Sequence, residues 1–182
     1  MNSELNGKSI RVYQSSQNEP VHVYKGDFIN YLRNGNGVDC FGNTKYEGGF
    51  VNDKREGYGK IVFESGDVYE GSFKEDKFNG QGRYKWKNTG HEYIGDYLNG
   101  QFHGKGLYKW SENEYYKGEY KNGIKEGQGE VKYPDGKKFI CPFVNGKPNG
   151  IGIYENGKGD RVEVQFIEGK INKKYKSPKK RN

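Results

Sequence analysis

Apolar and polar residues alternate with a period of two along most of the chain, in short bursts separated by polar, turn-forming residues. Tyr69, Gly71 and Phe73 stand at i, i+2 and i+4 with Glu70 and Ser72 between them, so the three share one face of a strand. Gly82, Tyr84 and Trp86 alternate with Arg83 and Lys85 in the same way and predict a second strand. The charged run between them, Lys74 to Asn79, predicts an exposed hairpin turn. Ser65-Gly66, Asn88-Thr89-Gly90 and Pro134-Asp135-Gly136 predict the turns that lead from one hairpin to the next.

This unit recurs. An aromatic-x-Gly-x-aromatic signal starts at Tyr24, Tyr46, Tyr69, Tyr93 and Tyr116, with a degenerate copy at Phe139 and a half-copy at Val162, at intervals of 22 to 24 residues. A Gly-x-Gly signal keeps step at 35/37, 57/59, 80/82, 104/106, 127/129 and 150/152, followed four residues later by Phe41, Phe63, Trp86, Trp110 and Tyr133. Such periodicity marks a repeat architecture. The predicted fold is all-β: an elongated single-sheet solenoid of consecutive antiparallel β-hairpins, about six 23-residue repeats plus end caps. Glycine and aromatic on one face explain how so thin a structure packs, since a position without Cβ lets a ring lie over the backbone and bury about 150–250 Å². A repeat advances such a stack by about 10 Å, which sets Cys40 and Cys141 far beyond the roughly 7 Å a disulfide allows.

Composition agrees. The chain has 29 glycines, no alanine and four leucines, and 15% of it is aromatic, which disfavours helix and favours strands and turns. Its charge is uneven. Seven of the 31 basic residues lie in 170–182, which has no acid, so the other 24 balance the 24 acidic residues. The net charge of +7 therefore belongs to the tail, and the body carries no electrostatic case for nucleic acid. The organisation expected is an N-terminal segment and capping strand over 1–23, the hairpin array over 24–169 and a basic, disordered tail over 170–182. The N-terminus MNSELNGKSIRVY lacks the apolar core of a signal peptide, and no stretch approaches a spanning helix, so the expected location is cytoplasmic.

The copies YEGSFKEDKFNGQGRYKW and YKGEYKNGIKEGQGEVKYPDG resemble the MORN repeat (membrane occupation and recognition nexus). The resemblance covers residues 24–169 and implies a repeat-only protein without catalytic activity. It also implies a scaffold in a cytoskeletal, ciliary or junctional assembly, often dimeric, or a module that attaches to membranes. Cys141 and Val164 depart from the pattern at the first glycine and Asn156 at the late aromatic.

Chemistry otherwise has little to stand on. Six Gly-x-Gly copies at a fixed period without a following helix are not phosphate loops. His22, His91 and His103 are dispersed, without acid or cysteine at metal spacing, and His103 is expected to sit solvated in a turn. Recurrent carboxylates such as Glu47 and Glu70 read as a solvated strand face. No catalytic residue, metal ligand or cofactor is assigned. Two binding surfaces are. Aromatic rings left partly open, chosen as Tyr69, Trp86, Tyr97, Trp110 and Tyr120, are expected to touch a protein partner or a second copy. In the tail, Lys170, Lys173, Lys174, Lys176, Lys179, Lys180 and Arg181 are candidates for an anionic membrane or an acidic partner, with Ser177-Pro178 as a phosphorylation switch.

Overall fold

The computed structural model describes residues 5–13 and 21–175. Among them there are sixteen strands and no helix. The hairpins are β2 (His22–Ile29) with β3 (Leu32–Phe41), β4 (Thr44–Val51) with β5 (Lys54–Val62), and β6 (Val68–Lys74) with β7 (Lys77–Lys85). They continue as β8 (Glu92–Leu98) with β9 (Gln101–Ser111), and β10 (Glu114–Lys121) with β11 (Ile124–Lys132). Next, β12 (Lys138–Val144) faces the short β13 (Lys147–Pro148) and β14 (Gly150–Glu155). At the two ends, β1 (Gly7–Tyr13) precedes the first hairpin, while β15 (Arg161–Ile167) and β16 (Lys170–Lys174) form the last. All belong to one open antiparallel sheet in chain order, β13 alone lying off that path. The backbone groups into two compact units, residues up to Thr89 with Tyr97–Gly100, and Gly90–Asp96 with Gln101 onward.

The hairpin turns are tighter than the charged runs suggested. Between β6 and β7 only Glu75 and Asp76 are outside strands, at φ 47° and 67°. Two successive left-handed residues make a type I′ turn, whose twist matches that of the strands it joins. Asn99-Gly100, Asn122-Gly123 and Asn145-Gly146 repeat it with the more usual residues. The second turn residue then donates its N–H to the preceding repeat, as in Asp76 to Arg55 O at 3.1 Å and Gly123 to Phe102 O at 2.8 Å. Because the turn is so short, Phe78 and His103, expected in turns, are strand residues. Phe78 is half-buried against the Tyr69 ring, and the His103 ring is half-buried with its Nδ1 shielded from solvent.

The core is a ladder of rings on one face, here the inner face. Tyr69 covers the cross-strand pair Gly71 and Gly82: a methyl at Gly82 would lie 2.5–2.7 Å from the tyrosine ring atoms, and one at Gly71 2.5 Å from Gly82 Cα. A bulge follows the glycine in β2, β4, β6 and β10. Its extra residue turns a carbonyl inward, where the buried phenol finds its acceptor: Tyr69 Oη donates to Ser72 O at 2.8 Å and Tyr116 Oη to Glu119 O at 3.0 Å. In the first unit Tyr24, Phe50, Tyr46, Phe73, Tyr69 and Tyr97 meet edge-to-face at centroid distances of 5.1–5.3 Å. The second unit repeats this with Tyr93, Tyr120, Tyr116 and Phe143. Edge-to-face geometry is what ring quadrupoles favour.

At the N-terminal edge β1 pairs with β2 from Gly7↔Phe28 to Tyr13↔His22, so the expected capping strand is present. At the other end Lys170–Lys174 pairs with β15, which corrects the expectation of disorder from residue 170. The physical reason is that Glu168-Gly169 makes one more left-handed turn, so the chain reverses and adds a strand although four of its five residues are polar. Residues 176–182 lie outside the described residues. Cys40 and Cys141 are both free thiols.

Candidate interaction faces

The ring ladder is sealed. Tyr69 is 0%, Tyr97 4% and Tyr120 5% exposed, so these three expected contact residues are core and are corrected as such. Sequence alternation placed them on the right face. It could not show that the neighbouring repeat closes over them, and that a second layer covers what remains. That layer comes from one repeat position, two residues beyond each hairpin turn. Phe78 stacks on Tyr69 and Phe102 on Tyr93, both at 3.7 Å with nearly parallel planes. At the same position Arg33 lies over Phe50 and Tyr24 at 4.9 and 5.7 Å, and Arg55 over Phe73 and Tyr46 at 5.4 and 5.7 Å. Lys125 caps Tyr116 at 4.6 Å. Cations serve here because a ring face attracts them. The 23-residue spacing held this signal, but the residue types differ so much that only geometry unites them.

What the ladder leaves open is the late aromatic row on the same inner face. Trp86 leans on Tyr84 at 4.5 Å, and Trp110 on Tyr108 at 5.0 Å; both tryptophans are half-buried. The Lys125 ammonium also stands 4.8 Å over Trp110, and burial pulls its pKa below the ordinary lysine value. In the first unit Phe41, 57% exposed, borders a cavity of about 310 Å³ that also includes His22, Arg33, Asp39 and Arg55. Its polar groups satisfy one another. Asp39 holds His22 Nε2 at 2.6 Å and accepts from Arg33 at 2.7 Å, and Arg33 and Arg55 continue to Asp53 and Asp76. The phenols are similarly quiet: burial pushes Tyr24 and Tyr46 up to about 12, which makes them poor acids and bases at neutral pH.

Of the expected cationic residues, Lys170, Lys173 and Lys174 are exposed on β16, and Lys176, Lys179, Lys180 and Arg181 lie outside the described residues. Among the described residues no three His, Cys, Asp or Glu gather as for a metal ion, and no helix is long and apolar enough to cross a membrane.

Glycine pair, ring ladder, bulge and I′ turn thus recur in register over most of the chain. The family model for the MORN repeat matches residues 24–38, 46–68, 69–90, 93–114, 116–138 and 143–161. The chain belongs to the MORN-repeat family. MORN repeats are non-enzymatic modules of protein and membrane interaction. No curated protein matches this MORN chain in sequence. Among solved structures, it is similar to the SAS-4 (dCPAP) TCP domain of Drosophila melanogaster in complex with a proline-rich motif of Ana2 (dSTIL). The identity is 12% over 79% of this chain and 84% of that one, with a TM-score of 0.44. It is likewise similar to the TCP10c domain of Drosophila melanogaster Sas-4, at 14% identity over 72% and 86% and a TM-score of 0.40. At those values the likeness carries no argument about function.

Proposed function

We propose that this MORN-repeat protein is a non-enzymatic scaffold that binds protein through the late aromatics of each unit's own inner face, Trp86 in the first unit and Trp110 in the second. One observation carries the reading. The ladder beneath is closed to solvent, while these two tryptophans stay half-buried beside polar neighbours. Large amphipathic rings in that state suit the centre of a protein interface. The setting is a cytoskeletal or ciliary assembly in the cytoplasm, a placement that rests on the family. A partner protein retained by the wild-type chain in affinity capture should be lost by Trp86→Ala and Trp110→Ala together, and should not need residues 170–182. Equal retention by the double variant would sink this reading.

A second reading has its own support. All five residues of β16 are exposed and three of them are lysines, so this edge could dock on anionic lipid, each lysine adding up to about 1 kcal/mol. That mode would weaken steeply with salt. It predicts co-sedimentation with phosphatidylserine vesicles that disappears when residues 170–182 are removed. No pelleting at physiological salt would exclude it.

A further inference from the structure

In five of the hairpins the residue just before the second aromatic directs its side chain to the same place. It lies against the left-handed glycine of the next strand: Asp27 at Gly35, Ser72 at Gly80, Asp96 at Gly104, Glu119 at Gly127 and Pro142 at Gly150. In the second unit the acids there accept the amide proton that follows the glycine. Lys105 N–H donates to Asp96 Oδ2 at 2.8 Å and Gln128 N–H to Glu119 Oε1 at 3.3 Å. One hairpin lacks this side chain. Gly49 holds the position in β4, and the space beside Gly57 is open, with no atom within 4 Å of where a Cβ would stand. The amide that follows is that of Tyr58.

Tyr58 is 66% exposed and lines a groove of about 850 Å³ on the outer face of the first unit. Ile10 and Val38 give the groove apolar wall, and Lys8, Lys25 and Lys60 surround it. Of the acids at hand, Glu47 is paired with Lys45 at 3.3 Å, and Glu70, across from Lys60, accepts from Tyr58 Oη at 2.9 Å; the three lysines make no ion pair among the described residues. Lys25, Val38, Glu47 and Lys60 face one another in a single cross-strand row, so the two lysines are about 14 Å apart. Residues i and i+4 of an extended chain span about 13 Å.

We propose that this groove binds an acidic, extended peptide segment of a partner protein. One of its carboxylates takes the place that Asp96 and Glu119 fill in their own hairpins and accepts the Tyr58 N–H. Flanking acids meet Lys25 and Lys60, and an apolar residue lies on Val38. An amide-to-carboxylate bond is charge-assisted and stronger than a neutral one, while the lysines select for acidic sequence. This site is on the opposite face of the first unit from Trp86, and it stands or falls separately from the tryptophans.

The test uses the full chain and a fluorescein-labelled peptide alternating glutamate and serine around one leucine, against its glutamine counterpart. The glutamate peptide should bind at least about tenfold more tightly, a difference of about 1.4 kcal/mol. On titration, the Tyr58 amide resonance should move downfield. Lys25→Ala with Lys60→Ala should weaken binding about tenfold without lowering the melting temperature. Gly49→Asp should close the site with the chain's own carboxylate. A Cβ there would meet Glu56 O at 2.3 Å, so this variant is read only if it melts like the parent, and the lysine pair does not depend on it. Equal affinity for both peptides, binding of neither, an unmoved Tyr58 amide, or indifference to the lysine pair would each overturn the proposal. Retention by phosphatidylserine vesicles with no peptide binding would assign the lysines to lipid and overturn it as well.

Discussion

The copy that begins at Tyr69 and the copy that begins at Phe139 are of nearly equal length, 24 and 23 residues, yet pack differently. In the first, Gly71 and Gly82 face each other, the Tyr69 ring lies flat over both, and its hydroxyl reaches Ser72 O. In the second, Cys141 stands where the glycine should be. Its Cβ already fills the space that a side chain at Gly152 would need, so no ring can lie there. Phe139 stays half-buried and turns instead to Tyr154 and Phe166, at 5.0 and 5.4 Å. The ladder is interrupted too: β12 meets β14 only over Lys138–Ile140, and β13 is two residues long. The aromatic ring is thus not what defines a well-packed copy. The paired glycines are, because they alone bring a ring within van der Waals distance of two backbones.

The comparison can be broken most forcefully through the ladder phenols, whose place Phe139 takes in its own copy. Their pKa in the folded chain is raised above the ordinary 10.0, to about 12 for Tyr24 and Tyr46, mainly by desolvation. A raised folded pKa means a contribution to stability that is complete below about pH 10 and is lost as pH climbs through 12. Melting temperature followed against pH should hold to about 10 and then fall steeply, with the phenolate signal of Tyr24 and Tyr46 appearing together with unfolding. Phenolate that forms at about pH 10 on Tyr24 or Tyr46 in the folded protein, resolved from the exposed tyrosines such as Tyr58, would contradict the sealed ladder.

A smaller blow falls on the glycines. Gly71→Val and Gly95→Val each drive a branched side chain into backbone, Gly82 Cα and Gln81 O for the first, Lys105 O and Gly106 Cα for the second. Each should cost about 3 kcal/mol, the upper end of overpacking, in denaturant unfolding. Cys141→Val, where the ring is already displaced, should cost under about 1.5 kcal/mol. Equal losses at Gly71 and Cys141 would erase the distinction between the copies. Tyr69→Phe should come next, at about 1 kcal/mol, for one hydrogen bond lost and Ser72 O left without its donor. The mildest probe is chemical. Burial pushes the Cys141 thiol up to about 11, so a thiol reagent at neutral pH should label it only as fast as the chain unfolds.

The alternation of Tyr69, Gly71 and Phe73 was enough to give strand, face and repeat, because side-chain direction in a strand depends on parity alone. The 22–24-residue spacing gave the hairpin order, and Ser9–Tyr13 the extra strand at the start. Local sequence did not reveal where the turns begin. Lys74–Asn79 is polar by composition, and only the two successive left-handed residues Glu75 and Asp76 end the turn early enough to bring Phe78 inward. Nor could it separate sealed rings from open ones. Tyr97 and Trp86 look alike as aromatics at repeat offsets, and their burial is decided by which neighbouring repeat lies over each. The chain by itself therefore determined the periodicity, the paired glycines and the charge confined to its end. Tertiary structure decided which rings are covered, what caps them and where a side chain is missing, since those depend on contacts some 23 residues apart that no single repeat contains.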